Sequence, residues 1–427
     1  MDKAHLKPGW MKLDNAAKIY PAAMSRSWTA MFRLSMSLSE PIDPDILQQA
    51  VNRTLPRFPA FSGRLRSGLF WYYMEPIGHP LKIQPDVGNP LVRMDLREQG
   101  GFMLRVRYYG RRIAVEYFHV LTDGTGGLCF LKTLVAEYLK LSVGAEIPRG
   151  GDILDVSEPP DPSELEDSFQ RYARSVGRSR REIPAYFIPG TEEQHMLHIT
   201  TGFLDAEAVL ALARTHGCTL TELLAAVLIL AIDDIQSRAK PRRRHKAVKI
   251  CVPINLRKYY GAQTLRNFSS FVNPGIEPKY GQYNLEETIR LVRAFMQRES
   301  DEKLLNARFS SNVHSERNLV LRLMPLLIKS AAMKMIFLSK GDRQSSSTLT
   351  NLGNLSLPSE MARYVQRADL LLGPLKRNRV AAAVLSYQGE LVVTFTRKIM
   401  ESQVERNFFT RLRRMGLHVK IESNQEY

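Results

Sequence analysis

Apolar residues along the chain recur with two spacings, alternation in short runs and every third or fourth position in longer ones, and strand-like and helix-like runs alternate in two successive series. The first series opens with "WTAMFRLSMSL" (28–38), which predicts a strand, and "DPDILQQAVNRTLPRF" (43–58), which predicts a helix. Asp43 suits the cap of that helix, Pro44 its first turn, and Leu47, Val51 and Leu55 repeat along one face. "GLFWYYMEP" (68–76) is aromatic and predicts a strand. "FMLRVRYYG" and "RRIAVEYFH" predict a hairpin turning at Gly110 and Arg111, and "GLCFLKTLVAEYLKL" (127–141) predicts a buried helix.

Residues 144–193 are rich in Gly, Pro and charge and read as a crossing segment. A second series follows, with a strand at 195–205 and helices at 206–215 and 219–236. Thr219 and Glu222 stand at the spacing of a capping box at the start of the longer helix. "AVKICVPINL" and "FSSFVNPGIEP" predict strands, and helices are expected near 284–299 and 317–338. Two strands joined at Gln388 and Gly389 and a last helix, "SQVERNFFTRLRRMG", close the chain. The expectation is an α/β protein with mixed sheets (α+β) in two domains, 1–190 and 191–427. A chain of 427 residues also exceeds what one hydrophobic core usually serves.

Composition adds location and partners. No run of about 18 apolar residues predicts a membrane span. The start "MDKAHLKPGWMKLDN" lacks the apolar centre of a secretory signal, so a cytoplasmic location is expected. Cys129, Cys218 and Cys251 lie far apart in apolar surroundings and read as buried free thiols, with no metal expected. The net charge of +17 asks for an anionic partner or simply makes a well-solvated surface. Its clusters are "RYYGRR" (107–112), "RYARSVGRSRRE" (171–182) and "SRAKPRRRHKAVK" (237–249). No stacking platform or reading helix accompanies them, so nucleic acid is not the expected partner. A phosphate-bearing cofactor or an acidic carrier protein fits better.

The chemistry concentrates in "YFHVLTDGTGG" (117–127). A histidine where a strand ends, with a pKa near 6.5 in its ordinary state, is placed to act as a general base. Asp123 could orient that imidazole or instead lock the loop against a cation, and Gly124 permits a tight turn into the next helix. A lone histidine ending a strand is more often structural. Phe70, Trp71, Tyr72 and Tyr73, with Met324, Met333 and Met335, read as core packing before pocket lining.

"HVLTDG" resembles the HxxxDG signature of the coenzyme A-dependent acyltransferase superfamily, which includes chloramphenicol acetyltransferase, plant BAHD acyltransferases, alcohol acetyltransferases, mycobacterial polyketide-associated acyltransferases and condensation domains of peptide synthetases. The N-terminal "MKLDNAAKIYPAAMSRSWTAMFRLSMSL" with "LPRFPAFSGRLRSGLFWYYMEP" is similar to the opening of bacterial alcohol acetyltransferase-like members. "CVPINLRKYYGAQTLRNFSSFV" resembles the second-half segment running to an Asn-Phe pair, and "STLTNLGNLSLP" the late strand and its Gly-containing turn. The resemblance implies two chloramphenicol-acetyltransferase-like domains side by side with a tunnel between them. It implies His119 as the base that deprotonates an alcohol or amine, and direct attack on a thioester without an acyl-enzyme. Asp123 would hold the loop by pairing with Arg257, and Thr348, Thr350 and Asn351 would offer polar or oxyanion contacts. The donor would be acyl-CoA or a phosphopantetheinyl thioester on an acidic acyl carrier protein, used as substrate with no tightly bound cofactor.

Departures from the pattern narrow the expectation. Phe118 stands where condensation domains carry a second histidine, and "SYQGELVVTFT" occupies the region where BAHD enzymes carry DFGWG. A stand-alone bacterial acyltransferase is therefore favoured. A condensation-type enzyme, a non-catalytic binding protein on the same fold and a nucleic-acid-associated protein stay as rivals.

Overall fold

The computed structural model describes residues 9–23, 29–174, 182–193, 196–239, 241–337 and 343–425. Trp28, His195, Lys240 and most of the basic stretch 171–182 lie outside the described residues. In chain order the first half contributes β1 (Met31–Leu38), α1 (Pro44–Thr54), β2 (Leu104–Tyr109), β3 (Arg112–Phe118) and α2 (Gly124–Val143). The second contributes β4 (His198–Asp205), α3 (Ala206–Thr215), α4 (Leu220–Ala239), β5 (Val248–Asn255), β6 (Ser269–Val272), α5 (Leu285–Glu299) and α6 (Glu302–Arg317). It continues with α7 (Leu326–Ile336), β7 (Ser347–Asn354), β8 (Val365–Leu372), β9 (Val380–Tyr387), β10 (Glu390–Arg397), α8 (Gln403–Arg414) and β11 (Lys420–Ser423).

Two mixed sheets organise these elements. One runs β6-β5-β7-β9-β10-β4-β11, with Gly275–Ile276 also paired to β5. The other runs β8-β1-β3-β2 and ends on the short strand Gln84–Pro85. Thus β8 leaves its sequence neighbours and pairs antiparallel with β1. A small third sheet joins Met11–Lys12, Gly63–Ser67 and Tyr72–Pro76.

Burial explains the periodicities. Ile113, Val115 and Tyr117 of β3 face one core together with Leu34 and Met36 of β1 and Leu131, Leu134 and Val135 of α2. The second core gathers Leu224, Leu228 and Ile232 of α4 with Phe408 and Leu412 of α8 and Val393 of β10. Asp43 caps α1 through backbone donors from Asp45 and Ile46, and Thr219 and Glu222 close the expected box. Gln388 and Gly389 both adopt positive φ, 47° and 82°, which gives the β9–β10 turn the twist its strands need.

Three expectations are corrected. The aromatic strand begins at Tyr72, because the Gly68 amide bonds to the Trp71 carbonyl and folds Leu69 to Trp71 into a turn. The helix expected over 317–338 breaks at Pro325 into Leu319–Leu323 and α7, since proline lacks an amide donor and holds Met324 extended. Part of the basic cluster at 107–112 turns inward. Arg107, only 7% exposed, shares the fully buried Glu116 with Arg105 and Arg33. The three cysteines are free, with Cys129 buried and Cys218 and Cys251 half-buried.

Candidate functional site

Local chemistry ends β3 where it does. The Leu121 amide bonds back to the Phe118 carbonyl, and Asp123, extended at the next corner, caps α2 by accepting from the Thr125 and Gly126 amides. His119 is left at the strand's end with its amide bonded to the Ala30 carbonyl. Its half-buried ring stacks on Tyr20 at 5.0 Å and lies 4.9 Å from Phe32.

Asp123 turns away from the imidazole. Its second carboxylate oxygen accepts from Arg257 Nη1 at 2.8 Å and from the Phe268 amide at 2.9 Å. Burial alone would raise its pKa, but Arg257 and these donors hold it below the usual carboxylate value. Arg257 is itself fixed by donating to the Thr264 carbonyl at 2.8 Å and to the Arg266 carbonyl, while Asn255 Oδ1 accepts from its amide at 3.0 Å. Phe268 and Leu256 pack beneath this loop with Phe169, Leu305 and Phe309. The pair therefore ties the first half's HxxxDG loop to the strand β5 turn of the second.

The glycines of the loop mark close approaches. A Cβ at Gly124 would sit 2.8 Å from Leu352 Cδ2, and one at Gly126 would sit 2.1 Å from the Leu265 carbonyl oxygen. Gly126 thus lets the start of α2 press against second-half backbone, a contact that Thr122 Oγ1 reinforces by donating to the same carbonyl at 2.6 Å.

The residue that orients His119 is Asn267. The side chain of Asn267 is 2% exposed, its Oδ1 lies 3.2 Å from His119 Nδ1, and its Nδ2 donates to Asp14 Oδ2 at 3.2 Å and to the His119 carbonyl at 3.0 Å. Reversing that amide would set its oxygen against a carboxylate and a carbonyl, so Oδ1 is the acceptor and Nδ1 carries the proton. The Nε2 lone pair is then free. Burial pushes the imidazole pKa below its usual value, against the opposing pull of Asp123 and the Asn267 bond. Burial raises fully enclosed Asp14 from 3.8 to about 6, with Arg266 opposing. Asn267 was visible in the sequence only as part of the Asn-Phe pair. Asp14 and Tyr20 carried no signal there, because nothing local marks a residue whose partner lies 253 positions away, as for Asp14, or on a distant strand end, as for Tyr20 and His119.

The polar candidates on β7 divide by face. Leu349 points into the second core, whereas Leu352 packs toward the first, so Thr348 and Thr350 share the face of Leu352, turned toward the first core, by strand alternation. Thr348 Oγ1 accepts from Asn378 Nδ2 at 2.9 Å. The Asn351 amide instead donates to Thr221 Oγ1 at 3.0 Å, and its oxygen accepts from the Gly353 amide. A cleft of about 530 Å³ adjoins the loop, lined by Thr125, Leu128, Lys132, Asn255, Leu352 and Asn354 among others, and His119 is not in its wall. Lys132 there is neutralised by Asp152 at 2.6 Å and also bonds the Ser356 carbonyl. Among the described residues no group of three or more His, Cys, Asp or Glu is arranged to hold a metal.

No protein-family model matches the chain, and no curated protein sequence does. Solved structures do. The Fusarium graminearum TRI101 structure complexed with coenzyme A and deoxynivalenol aligns over 97% of this chain and 100% of its own, at 10% identity and a TM-score of 0.64. The trichothecene 15-O-acetyltransferase TRI3 of Fusarium sporotrichioides aligns over 96% of each chain, at 12% identity and 0.62. The condensation domain of the monacolin K polyketide synthase MokA aligns over 94% of this chain and 95% of its own, at 13% identity and 0.56. End-to-end coverage by acetyltransferases and condensation domains alike gives this chain the two-domain fold of the coenzyme A-dependent acyltransferases and condensation domains.

Proposed function

We propose that this protein moves an acyl group from an acyl thioester, acyl-CoA in the first instance, to a small hydroxyl or amine acceptor, with His119 as general base. Residues 1–190 and 191–427 would form the two domains, with the path to His119 between them. The observation that carries the reading is the Nδ1–H bond to Asn267, which leaves Nε2 unprotonated and without a hydrogen-bond partner among the described residues. A lowered imidazole pKa keeps that nitrogen unprotonated, and so able to accept a proton, at neutral pH.

His119 Nε2 takes the acceptor proton as oxygen or nitrogen attacks the thioester carbonyl. The tetrahedral oxyanion needs donors, and Thr348 and Thr350, on the face of β7 turned toward the first core, are the candidates, while Asn351 is engaged with Thr221. As the intermediate collapses the C–S bond breaks, the imidazolium returns its proton to the leaving thiolate, and no acyl-enzyme forms. Asp123 and Arg257 hold the loop and touch no reacting atom. The test is thiol release from acetyl-CoA and longer acyl-CoAs with a panel of alcohols and amines. Acceptor-dependent release that disappears in His119→Ala supports the reading. Release equal in both proteins refutes the role of His119. Release only from thioesters loaded on an acyl carrier protein assigns the carrier-bound donor.

A further inference from the structure

α7 is apolar on two sides and covers only one of them. Its protein-facing side carries buried Leu326 and half-buried Met333, edged by Lys329, whose Nζ donates to the Phe70 carbonyl at 2.7 Å, and Ser330, whose hydroxyl lies 3.4 Å from that of Tyr72. Its open side carries Leu327, 86% exposed, with Ile328, Ala331, Ala332, Met335 and Ile336. The spacing of these residues makes one continuous apolar stripe, on a side that an ordinary surface helix would fill with polar residues. The short helix Leu319–Leu323 just before it exposes Leu319, Val320, Leu321 and Leu323 as well. Leu69 and Trp71, both exposed, flank the ridge through the bond from the Leu326 amide to the Leu69 carbonyl. Together these side chains open on the order of 1,000 Å², against roughly 300–600 Å² for the largest apolar patch of a typical monomer. The sequence-based expectation that Trp71 and Met335 serve core packing is thereby corrected.

We propose that this ridge docks on an anionic phospholipid surface. Charge selects that occupant. Residues 317–337 hold four cations, Arg317, Arg322, Lys329 and Lys334, and no carboxylate. Arg322 and Lys334 are exposed among these apolar residues, and Arg317, exposed at the start of the segment, also donates to Gln170, so headgroup phosphates would meet all three. A second copy of the chain would bring the same cations face to face, and an acidic carrier protein would match the charge while leaving the leucines uncovered. No helix of the described residues is long and apolar enough to cross a membrane, and the 11 residues of α7 reach only about 16 Å, so the ridge lies in the interface. The helix Ile19–Ala23 packs against α7 and carries Tyr20, which stacks on His119. Docking therefore brings the lipid surface within one helix of the candidate base, and the substrate it would deliver is a long-chain acyl thioester or acceptor. That last consequence rests on the acyl-transfer reading, and the docking itself does not.

The experiment is flotation of the full chain with vesicles of equal parts phosphatidylcholine and phosphatidylglycerol, and with phosphatidylcholine alone. The native protein should float with the mixed vesicles, several-fold less at raised ionic strength and less again with the neutral ones. Leu327→Glu/Met335→Glu should float at least tenfold less, with unchanged thermal stability because both side chains point into solvent. Native protein that stays at the bottom with mixed vesicles, or a variant that floats as well as native, overturns the proposal. So does light scattering that finds a native dimer converted to monomer by the double variant, which would assign the ridge to a second copy. Flotation needs no turnover, so a chain that docks but releases no thiol fails only the acyl-transfer reading.

Discussion

Replacing Asn267 with alanine tests the site at its most specific point. The variant removes the acceptor for His119 Nδ1–H and both donors that Asn267 gives to Asp14 and the His119 carbonyl. A buried hydrogen bond of about 1–1.5 kcal/mol holds the productive tautomer, so its loss frees the ring to place its proton on Nε2 and lowers kcat about tenfold. Loosened ring orientation extends the expected loss toward a hundredfold, with KM nearly unchanged because Asn267 lies behind the imidazole. The pH profile carries the sharper signature. The neutral imidazole is the active form, so kcat/KM falls as pH drops through the His119 pKa, which lies below 6.5 in the native protein. The Asn267 bond favours the charged ring, and without it the acid limb moves to still lower pH. Steady-state thiol release between pH 5 and 8 measures both effects. An unchanged kcat, or a reduced kcat with an unmoved acid limb, would refute the assignment of Asn267 as the residue that sets the tautomer.

Other perturbations test the scaffold around it. Arg257→Ala leaves Asp123 buried without its cation and should cost about 3–5 kcal/mol in chemical denaturation, with most activity lost. Asp123 is depressed below 3.8 in the native fold, so its contribution survives until pH falls below that value, whereas in Arg257→Ala burial is left to raise it, and the variant should lose stability as pH rises rather than as it falls. Asp14 has this second sign in the native fold. Its folded pKa of about 6 exceeds 3.8, so native stability declines as pH rises from about 4 to 6, by on the order of 3 kcal/mol, and Asp14→Asn should flatten that decline in urea titrations. Gly126→Ala forces a methyl to within 2.1 Å of the Leu265 carbonyl oxygen and should destabilise by about 3 kcal/mol in the same assay.

Much of this was legible before any coordinates. Helix caps at Asp43 and Thr219, the turn at Gln388 and Gly389, and the strand ending on His119 are local facts, set by hydrogen bonds and dihedral preferences within a few residues. The HxxxDG spacing and its resemblance pointed to the fold, and the solved structures share it. The resemblance also named Arg257 as the partner of Asp123, which a 2.8 Å bond joins across 134 positions.

Periodicity tells a chain which face of an element to bury and says nothing of what will cover it. For that reason the transfer of β8 to the first sheet, the relay from Asp14 through Asn267 to His119 and the outward apolar face of α7 belong to the tertiary structure alone. An alternating run pairs equally well with any strand of matching pattern, and an apolar stripe looks the same in sequence whether it meets a core or a solvent boundary. Local bonding wrote the elements of this protein into its sequence, and the packing of distant segments decided which of their side chains meet at His119.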